Sequence, residues 1–198
     1  MKPQIHHHFF QELQVKHTYS NGQSVLRAAH LQTLKVIFAN IQIGEPYQGG
    51  IIAYILQPGD PGYIEGETHG IIAAASNQSS GAQWGCFGIT IPGADGTALG
   101  TGYQNTLDIV AGCSSAGIAA RICNDLVLNG YDDWYLPSKD ELNKLYQSKD
   151  LIGGFGATWY WSSSDASSHK AWFQYFLSGF QNYLERYNTY YVRAVRAF

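Results

Sequence analysis

The rhythm of hydrophobic and polar positions changes near Ile43. Before it, Leu26, Leu34 and Ile37 fall roughly on one helical face behind Ser24, a candidate N-cap, while Lys35-Val36-Ile37-Phe38 reads equally well as a strand. After it, short apolar runs alternate with glycine. Gly49-Gly50-Ile51-Ile52-Ala53-Tyr54-Ile55-Leu56 predicts a buried strand, closed by the turn signal Pro58-Gly59-Asp60-Pro61-Gly62. Gly70-Ile71-Ile72-Ala73-Ala74-Ala75 predicts a second, and the stretch from Gly81 to Gly102 reads as loop. Two helices follow. Ser114 or Ser115 caps one whose Ile118, Ile122 and Leu126 repeat at helical spacing, ending near Asn129-Gly130. Ser138-Lys139-Asp140-Glu141 is a capping box opening another, with Leu142, Leu145 and Tyr146 facing inward. From Gly153-Gly154 to Phe198 the texture is β again. The pattern predicts an α+β fold with two main helices, short antiparallel strands and much backbone in loops. Residues 1–40 form an N-terminal arm and 41–198 the domain.

In the terminal segment, period two places Trp172, Gln174 and Phe176 on one strand face, and Phe173, Tyr175 and Leu177 on the other. After a Ser178-Gly179 turn, Phe180, Asn182 and Leu184 form the matching face of a partner strand. Core roles suit Trp161, Trp172 and Phe176. A domain of this size is not expected to bury both faces of every terminal strand where Ser, Asn, His and Tyr alternate along them.

Composition sharpens this. Of 198 residues, 22 are glycine, and the aromatics number 5 Trp, 14 Tyr and 9 Phe, nearly half of them from Trp159 onward. Charged residues make up only 14%, and the net charge of -3 argues against general binding to nucleic acid or acidic membranes. No apolar run is long enough to span a bilayer, and no signal peptide is visible in the first twenty residues. His6, His7 and His8 read as part of a polar tail or tag rather than a metal site. The three cysteines cannot all pair. A Cys113–Cys123 bond is one arrangement; two small buried hydrophobes is the other.

Signals for catalysis are sparse. Gly100-Thr101-Gly102 starts like a dinucleotide fingerprint but lacks the third glycine, and neither a Walker A motif nor a G-x-S-x-G elbow occurs. Asp132 and Asp133 read as a turn capping backbone amides before a buried Trp134. Asp60, Glu65, Glu67 and Asp95 are loop carboxylates without EF-hand spacing for calcium. No cofactor is expected. By contrast Tyr, Ser, Asn and Gly, abundant after Trp159, are the residues that antibody combining sites favour, because Tyr gives large amphipathic contacts at low entropic cost. An exposed surface of that composition is a recognition surface.

Six motifs in fixed order resemble the DUF1566 group of bacterial and phage proteins, which adopt the C-type lectin-like fold. They are Gly49-Gly50-Ile51-Ile52; His69-Gly70-Ile71-Ile72-Ala73-Ala74; Gly100-Thr101-Gly102 with Asn105-Thr106; Asp133-Trp134-Tyr135-Leu136-Pro137-Ser138 with Glu141-Leu142; Tyr160-Trp161-Ser162-Ser163; and Val192-Arg193-Ala194-Val195-Arg196. Within that group the C-terminus resembles the variable region of proteins diversified by retroelements that miscopy template adenines. The resemblance implies a fixed scaffold of Tyr160 to Ser164, Ala171-Trp172, Phe176, Gly179 and Tyr191 to Val195, and a variable region of about 165–190. It leaves as ligand contacts Ser167, Ser168, His169, Phe173, Tyr175, Leu177, Ser178, Phe180, Asn182, Tyr183, Leu184, Tyr187, Asn188, Thr189 and Tyr190. None of these is Lys, Gln, Glu, Met or Trp, which adenine changes in an asparagine codon do not produce.

The implied function is display of a diversified surface that binds a cell-surface protein or glycan, outside the cell or on a phage particle. The alternative is an adhesin domain of fixed specificity. The sugar-binding Glu-Pro-Asn and Gln-Pro-Asp motifs of calcium-dependent lectins are missing. The fold also resembles formylglycine-generating enzymes, but no cysteine follows Cys123 to supply their reactive pair. A non-enzymatic binding protein is therefore expected.

Overall fold

The computed structural model describes residues 41–198. The readings of a helix or strand at 24–38 and of the His6–His8 tail lie outside the described residues. Two sheets and four short helices make up an α+β domain. The first sheet runs β1 (Pro46–Tyr47), β2 (Gly50–Ile55), β3 (Gly70–Ala73) and β9 (Val195–Ala197), all antiparallel, so the chain's last strand closes on its early ones. The second has the order β4 (Ser79–Gln83), β8 (Thr189–Val192), β5 (Trp159–Ser167), β6 (Lys170–Tyr175), β7 (Gln181–Glu185). In it β5 and β8 run parallel and the other pairs antiparallel, which leaves β7 as an edge.

The strands predicted at 49–56 and 70–75 are β2 and β3. The faces of β3 divide between two cores, Ile72 joining one and Ile71 and Ala73 the other, while β2 gives Ala53 to the second, with Ile51 and Tyr54 packed against it. Within the loop-rich stretch from Gly81, the end of β4 forms before the chain turns irregular. A helix that the apolar pattern does not announce, α1 (Gly102–Gly112), follows. Its buried positions are Gly102, Asn105, Thr106 and Ile109, at helical spacing but mostly small or polar. Helix α2 (Ala119–Asn124) is shorter than predicted: it starts after Ile118, neither serine caps it, and it ends before Asn129. Helix α3 (Lys139–Gln147) opens with the predicted capping box. Glu141 N–H donates to Ser138 Oγ, and Ser138 N–H donates to Glu141 Oε2 at 2.7 Å. Helix α4 (Lys149–Ile152) continues from it.

The cysteine pairing differs from both sequence readings. Cys86 is bonded to Cys113, at the C-cap of α1, and Cys123 is a buried free thiol whose pKa burial raises well above the usual range. Proximity in sequence allows Cys113–Cys123, but α2 turns Cys123 into the core while the loop after β4 returns Cys86 to the end of α1.

Two cores fill the space between sheets and helices. One gathers Trp84, Trp134 and Trp161 with Ile109 of α1 and Ala119, Ala120 and Cys123 of α2; the other gathers Tyr135, Leu142, Leu145, Tyr160 and Phe176. The buried indoles are satisfied by backbone: Trp84 Nε1 donates to Ser162 C=O at 2.7 Å, and Trp161 Nε1 to Ala82 C=O at 2.9 Å. The serines of Tyr160 to Ser164 join distant segments, Ser164 Oγ donating to Gly96 C=O while accepting from Lys139 N–H. Asp133 is not a backbone cap. It receives both arms of Arg196 at 2.6 and 2.7 Å, and those hydrogen bonds hold its carboxyl below the usual range despite partial burial.

Candidate functional site

The candidate surface is built on β5 to β8. Strand β6 is covered on both sides. On one, Gln174 donates to Asn143 of α3 at 2.8 Å and Phe176 meets Tyr146 edge-on. On the other, Phe173 and Trp161 join the tryptophan-rich core together with Tyr190. Phe173 and Tyr190, assigned from sequence to the contact surface, are thus 4% and 9% exposed. Trp172, assigned to the core, is only half-buried, its ring edge-on to Tyr183 at 5.1 Å. The expectation that one face of β6 points outward fails because α3 and the tryptophan core sandwich it.

Exposure shifts instead to the edge strand and the turns. Ser167, His169, Leu177, Ser178, Phe180, Asn182, Tyr183, Leu184, Tyr187 and Thr189 are exposed; Ser168, Tyr175 and Asn188 are half-buried. Pairing of Trp172 with Tyr183 and Phe173 with Asn182 fixes β7 in register, so its alternate side chains line two sides of one edge. The β6–β7 turn depends on Gly179, whose φ is +80° and where a Cβ would lie 2.5 Å from the Tyr146 ring. Tyr175 N–H then donates to Phe180 C=O at 2.8 Å, fixing Leu177, Ser178 and Phe180 at the tip. Two polar groups of the edge are engaged by its own chain: Tyr183 N–H donates to Asn182 Oδ1 at 2.9 Å, and Asn188 N–H to Glu185 C=O at 3.0 Å.

Beneath these loops sits Arg186, fully buried. Its guanidinium lies 4.3 Å from the Trp84 ring centroid and pairs with Asp165 at 2.5 Å. It also donates to the carbonyls of Cys86, Ile89 and Ser167. Burial pushes the Asp165 carboxyl up even though the Arg186 hydrogen bond pulls it down. One cation thereby ties the turn after β7, the β5–β6 turn and the loop after Cys86 into a single base.

Two groups were not legible as site residues. Trp159, 45% exposed, lies 5.5 Å from both Tyr175 and Tyr190 and extends the buried aromatic stack to the surface. Phe87, 48% exposed, contacts His169 and Tyr187 from outside the terminal strands. Position beside Cys86 and Gly88 was the only available signal for it.

No group of three or more His, Cys, Asp or Glu is placed to hold a metal among the described residues. Asp60 accepts from the Tyr54 hydroxyl and Gln57 N–H, and Glu67 pairs with His69, so these carboxylates are engaged locally. A cleft of about 420 Å³ is lined by Lys149, Asp150, Gly153 to Ala157, Phe176 and Leu177, so it borders the β6–β7 turn. No described helix is long and apolar enough to cross a membrane.

This arrangement can bind through apolar and hydrogen-bonding contacts. The model of the Lcl C-terminal domain family matches residues 75–196, from just after β3 into β9. The chain belongs to the Lcl C-terminal domain family. The matched span takes in every element of the second sheet, all four helices and the Arg186 base. A comparison with curated proteins returns no match.

Proposed function

We propose that residues 41–198 are a ligand-binding module on a C-type lectin-like scaffold, with a diversified contact surface on β7 and its flanking turns. One observation carries the reading. Leu177, Phe180, Tyr183, Leu184 and Tyr187 are all large, apolar or aromatic, and exposed within eleven consecutive residues. Such a density in water, next to a rigid base, matches the composition and preorganisation of a combining site. The positions that the resemblance implies to be fixed fit a supporting role, since Tyr160 to Ser164, Ala171, Phe176 and Val192 to Val195 are buried. The Cys86–Cys113 bond supports an oxidising setting such as a cell surface or a virus particle.

The decisive experiment has two parts. Natural copies of the gene are sequenced across codons 165 to 191, where changes should concentrate at exposed positions and spare Phe173 and Tyr190. Purified protein is then screened against arrayed cell-surface proteins and glycans. A hit must be weakened at least tenfold by Phe180→Ala with Tyr183→Ala at unchanged melting temperature. Binding that survives this double change overturns the surface assignment. Copies invariant over these codons would leave a module of fixed specificity.

A further inference from the structure

His69 sits where β2, β3 and β9 meet. Its own C=O accepts from Leu56 N–H at 2.9 Å, just after β2, and Gly70 beside it begins β3. Its ring nitrogens each face an oxygen. Nε2 lies 2.8 Å from Glu67 Oε2, and Nδ1 lies 3.2 Å from the C=O of Phe198, which follows β9. Both neighbours are acceptors. A neutral imidazole has one N–H, so either tautomer turns a lone pair toward an oxygen; only the imidazolium donates to both.

The join at this end of β9 is slight. Phe198 and Gly70 exchange two backbone hydrogen bonds of 3.2 Å, longer than the 2.8 and 2.9 Å bonds between Val195 and Tyr135 at the other end. The Phe198 ring packs against Gly70, where a Cβ would come within 2.7 Å of it, and meets Tyr47 edge-on at 5.2 Å. Among the described residues Glu67 is the charged group that faces His69. On β9, Arg196 is taken up by Asp133 and Gln48. On β2, the Tyr54 hydroxyl donates to Asp60 while Lys144 lies over its ring. The hydrogen bond to Glu67, then that to Phe198, raises the His69 pKa against desolvation.

We infer that His69 is a proton-operated clasp on β9: as imidazolium it joins Glu67 to Phe198, and on losing its proton it lets the end of the strand fray from β3. A histidine raised in the folded state adds stability that is full below its ordinary value of about 6.5 and is lost as pH rises through the folded value. The sign is opposite to that of the Arg196–Asp133 pair, which acid weakens. Strand β9 thus carries two pins, one released by acid and the other by base. It is held most firmly between about pH 4 and 6.5.

The test follows the full chain by NMR from about pH 5 to about pH 9, spanning the histidine range. The His69 ring, assigned through its backbone, should titrate above the ordinary histidine value. Amide protection at Gly70 and Phe198, corrected for intrinsic exchange, should fall about fivefold through the same midpoint, while that at Val195 stays level. Glu67→Gln should move both midpoints down together. His69→Asn, whose side-chain amide donates without titrating, should leave protection at Gly70 level across the range. A ring that titrates at or below the ordinary value overturns the inference. So does protection at Gly70 that ignores the ring's midpoint, or a step that persists in His69→Asn. If that variant does not fold, Glu67→Gln decides alone: midpoints that move together support the clasp, and a fixed protection midpoint overturns it.

Discussion

Arg186 pairs with Asp165 at 2.5 Å, and the guanidinium has no exposed surface. Removing one member of a buried pair leaves the other charge unmatched and costs about 3–5 kcal/mol. Arg186→Met should therefore lower stability by about that much in urea titrations. It should also release the Cys86–Ile89 loop and the β5–β6 turn together, seen as parallel loss of amide protection in both.

Phe173 lies in β6 and Phe180 in the turn that leads into β7, and the two should respond in opposite ways. Phe173→Ala opens the tryptophan core and should cost about 3–5 kcal/mol. Phe180→Ala changes an exposed side chain and should stay within about 0.5 kcal/mol. Chemical denaturation of both variants checks the contrast. Equal losses would mean that the hairpin tip packs as core.

Ser138 does two tasks, accepting from Glu141 N–H at 3.2 Å and donating to Ala98 C=O at 2.8 Å. Ser138→Ala should cost about 1–2 kcal/mol, the upper range for an N-cap, because the Ala98 carbonyl also loses its partner. The melting temperature of the variant reads this directly.

Hydrogen bonds from Arg196, with its charge, depress the Asp133 pKa in the folded state. A depressed carboxyl adds stability that is present above its unfolded pKa, about 4, and lost as pH falls through the folded value. Melting temperature should thus drop on acidification below about pH 4. Asp133→Asn should flatten that part of the profile. An unchanged acid limb would show that the pair contributes nothing across that range.

The cystine closes a separation of 27 residues, for which chain entropy gives about 3–4 kcal/mol. Under native, non-reducing conditions iodoacetamide should label no cysteine, because Cys123 is buried and its thiol is held protonated. Denaturation without reductant should expose one labelled thiol, and denaturation with reductant three, counted by mass spectrometry.

How much could be read from residues alone depends on where each signal sits. The capping box at Ser138 is local chemistry and forms as written. Strands β2 and β3 announce themselves through unbroken apolar runs. Helix α1 escapes because its inward face is Gly102, Asn105, Thr106 and Ile109, and no side chain caps its start. Asn105 reaches Gly96 C=O at 2.6 Å and Thr106 donates to Gly102 C=O at 2.8 Å, so polar burial replaces the apolar stripe. At the candidate site, periodicity separates the faces of β6 correctly but does not reveal that α3 and Trp161 cover both. That is tertiary information, and it moves Phe173 and Tyr190 inward while leaving β7 to carry the exposure. Arg186 is equally silent in sequence, where one arginine among exposed-looking residues gives no hint of three carbonyl partners.

The engagement of two polar groups of the β7 edge, by Asn182 and by the turn at Asn188, has a consequence for this domain at high concentration. Bare strand edges template stacking with one another. With Tyr183 N–H and Glu185 C=O already engaged, crowded neighbours meet side chain to side chain and polymerise less readily. Replacing Asn182 by valine would remove that guard, and slow fibre growth at high concentration would be its visible sign.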